Sequence, residues 1–145
     1  MYERALLLMK PDAVERDLTG EVFPRVKEAG LSIEQLRTVT PSRELVEEHY
    51  DEHRGKDFFE PLVDFIAESK IHAVVVSGED AASRLPDVAG DTDPASADEG
   101  TIRGDLGDDS YETADQEGRA LQNLVHISEP DDAEDELWFC FPEQM

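Results

Sequence analysis

One histidine in this chain stands in a setting suited to covalent chemistry. It is His126, within Gln122-Asn123-Leu124-Val125-His126-Ile127-Ser128. Leu124, Val125 and Ile127 are strand-filling residues, so the run predicts a buried strand that fixes one face of the ring. Asn123, three residues earlier, offers a polar side chain close by. A neutral imidazole near pH 7 attacks phosphorus without a base to activate it. Taken alone, the run reads first as a core histidine bonded to a carbonyl, because core histidines are common. The rest of the chain shifts that balance.

Other residues point to anion chemistry. Lys10 closes the first apolar run, where a strand-end lysine reaches the crevice of an α/β sheet or is simply solvated. Arg103 lies in Gly100-Thr101-Ile102-Arg103-Gly104-Asp105 and is the only basic residue between Arg84 and Arg119. Small neighbours let an anion approach, and a guanidinium grips phosphate oxygens through two hydrogen bonds. The alternative is a surface ion pair with a nearby aspartate, which contributes little. There is no GxxxxGK[ST] loop and no GxGxxG, so any bound phosphate must be held by side chains. His49 and His53, four apart, would share one side of a continuous helix. Without a third ligand they are weak evidence for zinc.

The elements that must position these groups follow from periodicity. Arg4 to Met9 reads as a short buried strand ended by Lys10-Pro11-Asp12. Leu18, Val22, Val26 and Ala29 fall at helical spacing, with Gly30 as the stop. Leu31 to Val39 is a second, partly exposed strand. Thr40-Pro41-Ser42 predicts a helix opened by a cap and a first-turn proline, carrying His49, Tyr50 and His53. Asp57-Phe58-Phe59-Glu60 predicts a capping box for the next helix, with Phe59, Leu62, Val63 and Ile66 inward and Phe58 partly outward. Such a phenyl ring stacks on a flat ligand or is peripheral packing. Ile71 to Val76 fits a central strand covered on both faces, with His72 structural. Glu79 to Val88 predicts a short helix disturbed by Pro86. Gly90 to Ser110 reads as a long loop, and Tyr111 to Leu121 as a polar, helix-capable insert. Ser128-Glu129-Pro130 predicts a last helix carrying Glu134 and Glu136.

Bulk composition excludes several partner classes. The chain has 145 residues and a formal net charge of −23. One domain is expected at this length. Polyanions repel such a surface, so neither nucleic acid nor an anionic membrane is an expected partner. The acidity fits a surface kept soluble at high salt, where screening removes self-repulsion. Cys140, within Trp138-Phe139-Cys140-Phe141, is the one cysteine and forms no internal disulfide; its neighbours predict burial. Neither a signal peptide nor an apolar run of membrane length is evident, and a cytoplasmic protein is expected.

Together these stretches resemble the nucleoside diphosphate kinases. The matches are Lys10-Pro11-Asp12; Pro41 to Leu45 running into Glu48-His49-Tyr50 and His53; Gly55 to Phe59; Gly100 to Asp105; Asn123-Leu124-Val125-His126; and Glu136 ahead of the aromatic end. They keep their order over essentially the whole chain. The chain is similar above all to archaeal members, which also carry an insert before the histidine segment. The resemblance implies an α+β fold: a ferredoxin-like antiparallel sheet (βαββαβ) with an added helical pair and a long loop before the histidine strand. It implies transfer of a γ-phosphate from a nucleoside triphosphate to His126 and then to a diphosphate, by ping-pong chemistry. It assigns Tyr50 and Lys10 to the transferring phosphoryl, and Glu136 to the ring of His126. Arg103, Thr92 and His53 fall to the phosphates, Phe58 and Leu62 to the base, and Lys10 and Asn123 to the ribose. It implies magnesium carried mainly by the nucleotide's phosphates, with no protein metal site, and a homo-oligomer, hexamer or tetramer.

Three positions depart from the family pattern. Pro86 stands where an arginine is usual. Either Arg84 serves from a rearranged position or a phosphate contact worth about 1.5–3 kcal/mol is missing. Ile127 replaces the usual glycine, where its bulk would shift or crowd the ring, and Asp93 a common asparagine. These departures support the alternative of a nucleotide-binding regulatory or scaffold homologue with weak or no transfer.

Overall fold

The computed structural model describes residues 2–127, with His49 described by its backbone alone. Two strands carry continuous buried apolar runs, Ala5 to Met9 and Ala73 to Val76, and these lie at the centre of the sheet. They are β1 (Tyr2–Met9) and β3 (Ile71–Glu79). The edges are β2 (Ser32–Val39), which alternates exposed and half-buried residues, and the short β4 (Val125–Ile127). The order is β2-β3-β1-β4, with every neighbouring pair antiparallel. This is the expected α+β, ferredoxin-like arrangement.

Alternation along the strands sends side chains to two different layers. Ala5, Leu7 and Met9 pack with Val74 and Val76 against α2 (Thr19–Glu28) and α5 (Ala81–Ala89), which contribute Val22, Val26 and Leu85. Leu6 and Leu8 pack with Ala73 and Val75 on the opposite face. Between β2 and β3 the chain inserts α3 (Arg43–His49) and α4 (Phe59–Ile66), whose own small core is Val46, Phe59, Val63 and Ile66. Arg43 ties the pair together, reaching Asp64 at 2.7 Å and Glu60 at 2.7 Å.

Several local expectations are corrected. Ser42 caps α3 by accepting from the Leu45 amide at 3.2 Å, so Pro41 precedes the cap instead of occupying the first turn. The helix ends at His49, and Asp51–His53 forms a separate 3-10 turn. His49 and His53 therefore do not share one continuous helix. Phe58 occupies the cap position of α4 without a side-chain cap bond, so Asp57 to Glu60 is not a capping box. β3 runs on to Glu79, and α5 begins at Ala81 and continues through Pro86 to Ala89. The stretch after Gly90 is built, not bare loop: a 3-10 turn, Pro94–Ser96, leads to α6 (Ile102–Leu106). The polar insert folds as α7 (Tyr111–Glu117), capped by Ser110. A short α1 (Pro11–Glu15) follows β1 directly, with Lys10 at its cap position. The segment assigned to a last helix, with Glu136 and Cys140, lies outside the described residues.

Candidate active site

The approach to His126 is an unusual piece of backbone. Leu124 has φ +73°, and the Val125 amide donates to the Asn123 carbonyl at 2.8 Å. The pair closes a γ-turn of the positive-φ kind, which costs a branched residue about 1–3 kcal/mol. Contacts from distant elements hold it. The Lys10 amide donates to the Leu124 carbonyl at 2.8 Å, and the Leu124 amide donates to Asp12 Oδ2 at 2.9 Å. Arg103 braces the same turn, donating from Nε to the Asn123 carbonyl at 3.2 Å and from one terminal nitrogen to the Val125 carbonyl at 2.7 Å. Its other terminal nitrogen reaches the Gly90 carbonyl at 2.8 Å.

Local sequence explains why Arg103 is held so firmly. Thr101 caps α6 by accepting from the Gly104 amide at 3.0 Å. Gly104 packs against the Asp98 carbonyl, where a Cβ would collide with backbone. Asp105 accepts from the Gly100 amide at 2.9 Å and from Arg25 at 2.9 Å, locking α6 to α2. Arg103 is only 8% exposed, and burial pulls the pKa of its guanidinium below the ordinary arginine value.

After the turn, alternation separates two side chains. Ile127 pairs opposite Leu7 and joins the core under α2 and α5. His126 pairs opposite Leu8 and is half-buried on the face toward the α3–α4 pair. The β-branched residue after the histidine thus points away from the ring. A small cavity beside His126 is lined by Lys10, Tyr50, Leu8 and Val46 among others.

Next to it opens a cleft of about 630 Å³. Lys10, Asn123 and Thr92 line it, with Phe58 and Leu62 from α4, and Tyr111 and Arg119 from the inserted segment. Lys10 belongs to both spaces. Its ammonium donates to Asn123 Oδ1 at 3.0 Å and sits 5.6 Å from the Phe65 ring centre. Burial pushes its pKa down to about 8, against the opposing pull of Asp12 and with a further push from Arg103. Asn123 in turn donates to the Thr92 carbonyl at 3.0 Å. Arg119 anchors the inserted wall, gripping Asp109 with two bonds of 2.7 and 3.0 Å. Those bonds hold the Asp109 carboxyl down at about 2.

The structure therefore gathers most of the residues singled out in the sequence. Lys10, Phe58, Leu62, Thr92 and Asn123 share the cleft; Tyr50, Lys10 and His126 share the adjoining cavity. His53 lies beside them, its ring 5.2 Å from Phe58. Arg103 lines neither space and lies behind the turn. Arg84 donates to the Ala29 and Glu79 carbonyls, so it is committed elsewhere and does not stand in for the arginine displaced by Pro86. Four contributions were not legible in the sequence: Asp12 stood in a matching stretch but carried no role of its own, Leu124 gave no sign of a positive φ, and nothing placed Tyr111 and Arg119 at the cleft.

The family model for nucleoside diphosphate kinase matches residues 3–145. The nucleoside diphosphate kinase of Thermococcus kodakarensis is 43% identical over 145 residues, covering 99% of this chain and 79% of its own. A solved transition-state mimic of the Borrelia burgdorferi enzyme, with bound vanadate and ADP, superposes with a TM-score of 0.89 at 28% identity. It covers 95% of this chain and 86% of its own. The halophilic Halobacterium salinarum enzyme in complex with CDP gives 0.82 at 34% identity, covering 96% and 87%. The chain belongs to the nucleoside diphosphate kinase family.

Proposed function

We propose that the cleft takes a nucleoside triphosphate or diphosphate and that His126 carries a phosphoryl group between the two. A ring nitrogen of His126 attacks the γ-phosphorus, a P–N bond forms, and the bond to the bridging oxygen breaks with its electrons leaving on the diphosphate. A second nucleoside diphosphate then reverses the step with its own terminal oxygen as nucleophile. The observation that carries this reading is the double placement of Lys10. One ammonium serves both the open cleft and the cavity holding His126 and Tyr50, so a nucleotide's terminal phosphate at Lys10 stands next to the imidazole.

The remaining roles are those that the family pattern gives these positions, with Phe58, Leu62, Thr92 and Asn123 lining the cleft as support. Phe58 and Leu62 receive the base, Lys10 and Asn123 the ribose hydroxyls, and Thr92 a phosphate oxygen. Tyr50 and Lys10 meet the transferring phosphoryl. Arg103 contributes positive potential from behind, since its charge is felt at Lys10. His53 assists at the phosphates and Glu136 orients the His126 ring. Stacking responds to any base face, so broad nucleotide use is expected.

Magnesium fits as a passenger of the nucleotide. Among the described residues no group of three His, Cys, Asp or Glu side chains is gathered to hold a metal. The cleft instead offers an ammonium, an amide and a guanidinium beside Asp57 and Asp115. Bound on the phosphates, magnesium would neutralise charge there. No helix among the described residues is long and apolar enough to cross a membrane. A cytoplasmic homo-oligomer, hexamer or tetramer, completes the proposal.

Initial-rate kinetics with varied ATP and a second diphosphate test the reading. Parallel double-reciprocal lines, with ADP–ATP exchange in the absence of the second substrate, are expected. Intersecting lines without exchange would rule out a covalent carrier. The inserted wall makes its own prediction. Tyr111 is 50% exposed and Phe58 48%, both on the cleft. Tyr111→Ala is expected to raise nucleotide KM about tenfold, as loss of one aromatic contact does, while kcat stays within about threefold.

A further inference from the structure

We propose that Asp12 is a positioning residue for phosphoryl transfer: its carboxylate holds the turn that delivers His126 and places a negative charge behind Lys10. The proposal rests on the transfer reading above and adds a residue to which that reading gives no role.

Two kinds of observation meet at this side chain. The first is geometric. Asp12 is 8% exposed, and Oδ2 accepts the amide of Leu124, the strained centre of the turn, across 112 residues of chain. Its neighbour Lys10 holds the other backbone group of Leu124. The Lys10-Pro11-Asp12 stretch therefore clamps both backbone groups of Leu124, in the two successive peptides on either side of its Cα, two residues before His126. Without the clamp, Leu124 relaxes to negative φ, and strand register carries that rotation into the imidazole.

The second observation is that Oδ1 is buried and, among the described residues, makes no hydrogen bond of good geometry, although the backbone amides of Asp12 and Ala13 at the start of α1 lie close enough to favour the charged form. An amide would serve the Leu124 bond equally well through its own oxygen. A carboxylate is needed only if its charge is used. Burial raises the Asp12 pKa, with Lys10 as the first opposing influence, and burial lowers that of Lys10, with Asp12 as the first opposing influence. Each keeps the other ionised in a site where isolated charges are costly. Among the described residues, the charged and titratable groups that act on Lys10 or share its two spaces are Asp12 from α1, Arg103 from α6, Tyr50 after α3, His126 on β4, and Asp57, Tyr111, Asp115 and Arg119 at the cleft. Arg103 pushes the ammonium toward neutrality, and Asp12 is the charge that counters it.

The test compares full-length wild type with Asp12→Asn and Asp12→Ala in kcat/KM against pH. In wild type the alkaline limb is expected near pH 8, where Lys10 loses its proton. Asp12→Asn retains the Leu124 bond, so its thermal midpoint is expected to stay close to wild type. Its alkaline limb moves down by about one pH unit, and its activity at pH 7 falls about tenfold. Asp12→Ala loses more, in kcat above all. A folded Asp12→Asn enzyme with wild-type activity and an unmoved alkaline limb would overturn the proposal, whatever Asp12→Ala does. ADP binding against pH, followed by calorimetry, separates this outcome from failure of the transfer reading. If wild type forms no phosphoenzyme, the transfer reading falls, while a shifted pH dependence of ADP affinity in Asp12→Asn still supports the charge assignment and an unshifted one removes it.

Discussion

Replacing Arg103 with alanine is expected to abolish measurable transfer and to destabilise the fold by about 3 kcal/mol or more. The guanidinium donates to three carbonyls, those of Gly90, Asn123 and Val125, and the residue is only 8% exposed. Alanine takes a donor from all three in a space water enters poorly; the Asn123 carbonyl keeps the Val125 amide, and a buried carbonyl left without any donor costs about 1–3 kcal/mol. The turn at Leu124 then lacks one of its braces, and β4 has only three residues with which to hold His126 in register. Arg103→Lys restores a charge but presents its donors from a single atom, which does not span three divergent carbonyls. Its activity is expected to stay below about a tenth of wild type. Chemical denaturation and kcat measured on the same preparations check both statements. An Arg103→Ala protein with native midpoint and native kcat would show that the brace is dispensable.

Removing salt is expected to have an effect of similar size on the whole fold. The chain carries 36 acidic residues against 13 lysines and arginines. Arginines are accordingly shared: Arg43 serves Glu47, Glu60 and Asp64, and Arg119 serves Asp109 and Glu117. Two opposite salt responses follow. Screening weakens these ion pairs, and it weakens the repulsion among the excess carboxylates. Exposed pairs contribute only about 0–1 kcal/mol each, and few cations are available to make them. The formal charge of −23 leaves repulsion the larger sum. The thermal midpoint is therefore expected to rise by about 10 °C or more between low-salt buffer and molar KCl. A midpoint that is flat or falls with salt would contradict this balance.

Much of this arrangement was legible in the chain, and the reasons are specific. Continuous apolar runs marked β1 and β3 as central, because a strand covered on both faces has no polar side to show. Helical spacing of Leu18, Val22 and Val26 marked α2, and Gly30 its stop. Phe58 and Lys10, each open in sequence between a ligand role and a bland one, both line the cleft. Helix boundaries were read less well. Proline and small polar residues signal a start without giving its register, so Ser42, not Thr40, became the cap, and Tyr50 broke the helix before His53. The structured stretch after Gly90 was hidden because α6 is short and its stability is tertiary: it is fixed by Arg25, Gly90 and the carbonyls around Asn123. The same limit hid the roles of Asp12 and Arg103. A buried arginine bonded to backbone and an arginine that grips phosphate look alike in sequence, and only the fold shows which groups its donors reach.

The phosphorylated residue itself provides the most direct test. The chain has four histidines, at positions 49, 53, 72 and 126, so the assignment is discriminating. The protein is incubated with γ-labelled ATP and magnesium, quenched in base, digested, and its phosphopeptides are mapped. One base-stable, acid-labile phosphoryl group is expected on His126, discharged by added nucleoside diphosphate and absent from His126→Ala. Label on another residue, or undiminished transfer by His126→Ala, would contradict the account.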